Sequence, residues 1–283
     1  MSDTSNSTLF RSGGPADSAR AARESAVHSS GFEWLSRAGF LARGLIYAII
    51  GVLALKLALG HGGKLTDQQG ALHTVARQPF GKVLLLLVAI GLGGYALWRF
   101  VRAALGHGPE GSDTGFDRVA AFASGLVYLG LCLLAVRILT GSHKASANPD
   151  KTTAGVLGWP AGTWIVGAAG LVLTGVGLYQ GYRGLTKDFL ADSKTEEMGP
   201  RTRRWIGGIG LVGHLARMVV FMLAGTFLVK AAVEYDPHAA VGIDGALAKL
   251  LHQPLGPLLL GVVAAGLIAF AVYSFSDARF RRI

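Results

Sequence analysis

Between residues 38 and 276 the chain writes six apolar blocks, at about 38–59, 83–103, 119–140, 162–182, 207–233 and 256–276. Each is close to or beyond the roughly 20 residues with which a helix crosses the hydrocarbon of a bilayer. The apolar residues run continuously rather than as stripes, and only 16% of the chain is charged, against roughly 25% in a soluble domain. Glycine is abundant, with 41 residues, which suits close helix contact in lipid. The expected fold is therefore all-α: a polytopic membrane protein with six transmembrane helices.

The formal net charge is +10, but the basic residues flank apolar blocks. They form no single stripe interleaved with aromatics, so the pattern speaks for a membrane and for no nucleic acid. Sixteen of them fall on the side of the N-terminal segment, the second and fourth connections and the C-terminus, and six on the other. The richer side is expected to be cytoplasmic. This predicts a multi-pass membrane protein with both termini inside. Residues 1–32 are polar and lack an apolar centre, so they read as a disordered cytoplasmic tail and not as a cleavable signal. The first block would then act as an uncleaved anchor.

The blocks repeat. Ala42, Tyr47 and Lys56 recur as Ala123, Tyr128 and Arg137, and again as Ala216, Phe221 and Lys230. The even blocks open with QPFG (78–81), WPAG (159–162) and QPLG (253–256), each followed by an aromatic: Trp98, Tyr179 and Tyr273. Proline suits the first turn of a helix, where its missing N–H is not needed. The expected units are residues 33–106, 117–187 and 205–283, each helix, outer loop, helix. Two spans per unit return the chain to one side, so three helical hairpins share a topology about a pseudo-threefold axis, and an inverted repeat is excluded. GALHTVARQPFG and GALAKLLHQPLG read as short interfacial helices. The outer loop of the second unit, DKTTAGVLGWPAG, carries that pattern poorly.

The pattern R-x-G-F-x-A-R-G-L-I-Y at 37–47, Lys56, G-A-L at 70–72, QPFG at 78–81 and VAIGLGGYALWR at 88–99 resemble the bacterial integral membrane family called domain of unknown function 1206. The resemblance covers about residues 33–283 and is strongest in the first unit. It departs at Ser124 in the second and at Met218 and Phe221 in the third. It implies three two-helix units in a bacterial cytoplasmic (inner) membrane, and no catalytic residue comes with it.

Chemistry is sparse. GIGLVG at 208–213 matches a dinucleotide fingerprint, but it lies inside a span with no strand before it, so it reads as a small-residue helix face. No G-x-S-x-G, H-E-x-x-H or pair of carboxylates within a span is present, and the expectation is no enzyme. His214 is alone inside a span, and His61, His73, His143, His238 and His252 lack ligand spacing, so no metal and no cofactor are expected. Cys132 reads as a packing residue.

Lys56, Arg137 and Lys230 are the candidate functional residues: a cationic ring at the outer mouth of an anion path, or side chains that snorkel to the headgroups. Helical phase places the small faces with Tyr47 and Tyr128 opposite Lys56 and Arg137, which favours snorkelling and makes the tyrosines packing residues. Arg102 and Arg183 would form a second cationic level on the cytoplasmic side, left incomplete by Asp277. Trp98, Tyr179 and Tyr273 are expected in an aromatic belt. The leading expectation is a non-enzymatic scaffold or assembly subunit, with the lipid bilayer and other membrane subunits or further copies of itself as partners. A channel or transporter for an anionic or small neutral solute comes second, and an outer-face metal or pH sensor third.

Overall fold

The computed structural model describes residues 30–105, 115–141 and 149–281. Six long helices dominate it: α1 (Ser30–Ala58), α3 (Gly81–Leu105), α4 (Gly115–Leu139), α6 (Gly162–Thr186), α7 (Pro200–Val233) and α9 (Gly256–Phe280). Each is long and apolar enough to cross a membrane, as the apolar blocks predict, so the chain has the build of a multi-pass membrane protein. Residues 1–29 of the expected tail lie outside the described residues, while its last three already belong to α1.

Three short helices, α2 (Gln68–Ala76), α5 (Pro149–Leu157) and α8 (Ile243–Leu251), stand at the end of the bundle opposite the C-terminus. This end is called the cap below, and the other the base. Leu72, Val75 and Leu247 are buried on α2 and α8, so these apolar faces dock on the protein where an interfacial position in lipid was expected. The second repeat also forms its short helix, with Thr153 and Leu157 buried, although its sequence pattern is weak.

The recurrent proline motif is a turn. Gly81, Gly162 and Gly256 donate their N–H groups to the carbonyls of Gln78, Trp159 and Gln253 at 2.8, 2.9 and 2.8 Å. Proline occupies the second position of each turn, where its fixed φ fits. It therefore precedes the span and does not sit in its first turn, which corrects the sequence expectation. Phe80 and Leu255 take a left-handed φ of 59° at the third position. Glycine is needed at the fourth, because a Cβ at Gly81, Gly162 or Gly256 would run into the carbonyl oxygen of Ala76, Val156 or Leu251.

The spans pack in the order α4, α3, α1, α9, α7, α6. Three of these contacts join different repeats (α3 with α4, α6 with α7, α9 with α1) and two lie within a repeat. The two spans of the second repeat, α4 and α6, do not pack along one another. One of the three expected hairpins is thus open, so the contacts within repeats do not recur three times as the pseudo-threefold expectation requires. Each of the two has its small-residue face committed elsewhere. Gly170 on α6 meets α7 so closely that a Cβ there would lie 2.7 Å from the Val229 nitrogen. On α4, Gly125 faces Phe100 of α3, and Cys132 Sγ donates to the Ala89 carbonyl at 3.3 Å. The core between α1, α3 and α9 holds Ile46, Ile50, Leu85, Leu92, Leu260 and Leu267, all exposed by 1% or less.

Candidate functional site

Polar side chains are expensive inside a bundle whose surroundings are lipid, so the buried ones single out a site. They gather at the base. Arg43 on α1 is flanked by Ala42 and Gly44, both buried, which lets α9 approach. Its Nη2 lies 2.8 Å from Asp277 Oδ2, its Nε donates to Ser274 Oγ at 3.1 Å, and its Nη1 donates to Tyr95 Oη at 2.8 Å. The rings of Phe40, Tyr95 and Phe270 surround its guanidinium at 5.1–5.3 Å. The side chains of Arg43 and Asp277 are 6% and 1% exposed.

A second acid arrives from the connection between α6 and α7. Lys187 ends α6 with a left-handed φ of 59°, and Phe189 inserts against Gly210 and stacks on His214 at 4.8 Å. The Lys194 N–H donates to the Phe280 carbonyl at 2.7 Å. The loop is thereby folded under the bundle, and Asp192 lands among arginines. Its Oδ2 accepts from Arg183 and from Arg281, each at 2.7 Å, and its Oδ1 lies 3.9 Å from Arg102. Arg281 also approaches Asp277 at 3.6 Å. Burial works against the charge on Arg281, but Asp192 and Asp277 outweigh it and hold this guanidinium above its ordinary pKa.

Trp98 provides a wall for Arg99, Arg102 and Arg281 at 5.3–5.5 Å. Arg99 donates to Tyr95 Oη at 3.2 Å. The base thus unites Arg43, Arg99, Arg102, Arg183 and Arg281 with Asp192 and Asp277. Arg102 Nη1, Arg281 Nε and Asp277 Oδ1 are buried without a hydrogen-bond partner. Buried ion pairs of this kind contribute little net stability, but removing one member is costly because the other charge is stranded.

One further arginine lies deeper. Arg217 on α7 occupies in the third repeat the position of Arg43 in the first. Its guanidinium stands over Phe270, Phe221 and Tyr47 at 4.4, 5.0 and 5.3 Å. With the Gln180 amide oxygen turned toward it, Gln180 accepts two hydrogen bonds of 2.9 Å from Arg217.

The residues singled out from the sequence fare unequally. Lys56, Arg137 and Lys230 are all exposed. Lys230 pairs with Glu234, the residue that caps its helix, at 3.7 Å, and no contact joins the three. Arg102 and Arg183 do come together, around Asp192 rather than as a bare cationic level. Tyr47 packs its ring on Phe270 at 4.8 Å and Tyr128 on Tyr95 at 4.4 Å. Trp98 and Tyr273 are 5% and 3% exposed. They belong to the packed base and not to an aromatic belt, because their rings are needed against the arginines and Phe189. Gly210 and Gly213 of the GIGLVG stretch lie within α7 and abut Phe189 and Phe270. His214, buried on α7, has its Nδ1 2.8 Å from the Gly210 carbonyl oxygen. His143 lies outside the described residues. Among the described residues no three His, Cys, Asp or Glu side chains converge on a point that could hold a metal.

Arg43, Tyr95, Asp192 and Arg217 were not singled out from sequence. The repeats carried a signal for the arginines, one residue beyond the matched alanines. Nothing in the sequence marks Asp192, which depends on how its loop folds.

No solved structure matches this chain at a significant level. The uncharacterized protein YxxB of Bacillus subtilis (strain 168) is 34% identical over 242 residues, covering 84% of this chain and 87% of that protein. A family model matches three times, at residues 38–106, 119–187 and 212–281, one match for each pair of spans. The chain therefore belongs to the family described as Domain of Unknown Function (DUF1206).

Proposed function

We propose that this is a non-enzymatic protein of the bacterial cytoplasmic membrane, a scaffold or assembly subunit with both termini inside. The observation that supports this reading is the filled interior. Leu72 and Leu247 close the cap with no exposure at all, and Leu92, Leu260 and Leu267 fill the middle. The arginine–aspartate network closes the base. A packed core of this kind suits a rigid body that neighbours assemble around, whereas conduction needs a hydrated path. The basic surplus at the terminal side supports the orientation.

A second reading, a carrier for a small anion, is favoured by one observation: cations stand at two levels, Arg43 and Arg217 well inside α1 and α7, and Arg99, Arg102, Arg183 and Arg281 nearer the helix ends at the base. Solute flux into vesicles reconstituted with the full chain separates the two. The scaffold reading expects chloride and small-carboxylate flux equal to that of empty vesicles. It also expects no change in a Lys56→Gln, Arg137→Gln, Lys230→Gln triple variant. Saturable flux in the wild type, lost on Arg217→Gln, would overturn it.

A further inference from the structure

We infer that the base of the bundle binds a phosphate group between Arg99, Arg102 and Arg183. Among the described residues, five guanidinium groups share two carboxylates there. Three helix N-termini and three C-termini meet at this end, so their macrodipoles, about half a charge each, roughly cancel. The cluster is left about three positive charges in excess, in a place where uncompensated charge is costly. The excess is unevenly placed. Arg43, Arg183 and Arg281 have carboxylate partners within 2.8 Å. Arg99 has a tyrosine hydroxyl and the rings of Tyr95 and Trp98, and Arg102 has the Trp98 ring and a 3.9 Å approach to an aspartate that two other arginines already bind.

The donors left over fit an anion with several acceptor oxygens. Arg102 Nη1 is buried and bonded to nothing, and so is the Nε of Arg281, whose side chain is 6% exposed. Planar guanidinium forks bind phosphate through paired hydrogen bonds. The cluster is also open on one side only. Arg43, Asp277 and Arg281 are sealed, whereas the side chains of Arg102 and Arg183 keep 13% and 19% of their exposure. Both arginines stand three residues from the end of their helix, about 5 Å of rise, which is headgroup depth for a helix that spans a membrane. α4 and α6 do not pack along one another, so among the described residues no helix packing closes the lateral approach from the membrane. An acidic phospholipid headgroup and a free phosphate offer the same chemistry, and basic pockets between spans near the cytoplasmic face are suited to the former.

The test uses the full chain in mild detergent after extensive delipidation. Thermal unfolding is followed with added phosphatidylglycerol, phosphatidylcholine or inorganic phosphate, and native mass spectrometry counts retained lipid. We expect phosphatidylglycerol to raise the midpoint and to be retained at one per chain, with phosphatidylcholine doing neither. Arg102→Gln and Arg99→Gln should each weaken the effect at least tenfold, and Lys56→Gln, at the cap, should not. The two site variants guard against loss of folding, since Arg99 holds no carboxylate. A shift with inorganic phosphate that matches phosphatidylglycerol would assign the site to a soluble phosphate. Equal response to all three additions, or full response in both arginine variants, would overturn the inference.

Discussion

Replacing Asp277 by asparagine removes one charge and almost no volume, so its effect isolates electrostatics. In the folded protein Asp277 Oδ2 lies 2.8 Å from Arg43 and 3.6 Å from Arg281. Arg281 keeps Asp192 at 2.7 Å, but Arg43 loses its only carboxylate. Tyr95 and Ser274 remain, and neither carries a compensating charge. Breaking a buried pair in this way costs about 3–5 kcal/mol, or roughly a hundred- to several-thousand-fold in the unfolding equilibrium at about 1.4 kcal/mol per tenfold. Titration from mild detergent into a denaturing one, followed by tryptophan fluorescence, reads that shift. A second variant makes the reasoning sharper. Replacing both partners, Arg43→Met with Asp277→Leu, strands no charge on α1. It should recover at least half of the loss, because apolar substitutes for a buried pair are often neutral. If Asp277→Asn shifts the equilibrium less than tenfold, or if the double variant is as unstable as the sum of the two singles, the pair does not do what is claimed for it.

Two further outcomes test other parts of the fold. Gly256→Ala and Gly81→Ala should each destabilise by about 1–3 kcal/mol as overpacked sites, because the new methyl meets a backbone carbonyl that cannot rotate away; trypsin sensitivity of the cap loops should rise in parallel. Asp67 caps α2 by accepting from the Gly70 N–H at 2.8 Å, while burial, and the nearby Asp244, push its carboxyl above the ordinary range. The folded state thus binds this proton more readily than the unfolded chain does, so this contribution grows as pH falls toward the unfolded pKa and is lost as pH rises through the folded one. Asp67→Asn keeps the cap and should flatten that acid-range slope in pH-dependent melting, whereas Asp67→Ala should cost about 1 kcal/mol.

Much of this architecture was legible because lipid leaves so little freedom. Length and apolarity alone located the six spans, and the recurrence of QPFG, WPAG and QPLG marked where the cap turns lie, although the pattern itself read as the start of a helix. Local patterning failed where tertiary contact decides. The residues of α5 alternate poorly, yet they form a helix because Thr153 and Leu157 have somewhere to dock. Trp98 and Tyr273 read as belt aromatics from their depth, but depth does not tell whether a ring faces lipid or the bundle. The candidate site was half visible. Arg102, Arg183 and Asp277 stood at equivalent repeat positions, and Arg43 and Arg217 at another. What joins them is Asp192, held by the loop's return beneath α9, and a loop's path is written in contacts distant in sequence.

The repeat positions also explain why the charge at the base is unbalanced, and they give a prediction of unusual sign. Where the third repeat meets the first, Arg43 on α1 faces Ser274 and Asp277 on α9. Where the second meets the third, Arg217 on α7 faces Gln180 on α6, and the position equivalent to Asp277 holds Arg183, neutralised from outside the repeat by Asp192. Where the first meets the second, the odd span offers Ser124 and the even span Arg99 and Arg102. None of these three positions holds an acid. Arg102 is therefore a like charge among arginines, tied to Asp192 at 3.9 Å, too far for a direct hydrogen bond. In delipidated detergent, Arg102→Gln should be neutral or stabilising, the opposite of Asp277→Asn, since it relieves repulsion and breaks no close pair. Adding an acidic phospholipid should then reverse the order and leave the wild type the more stable of the two. A loss of stability on Arg102→Gln in the absence of any anion would mean that Asp192 alone satisfies this end of the bundle.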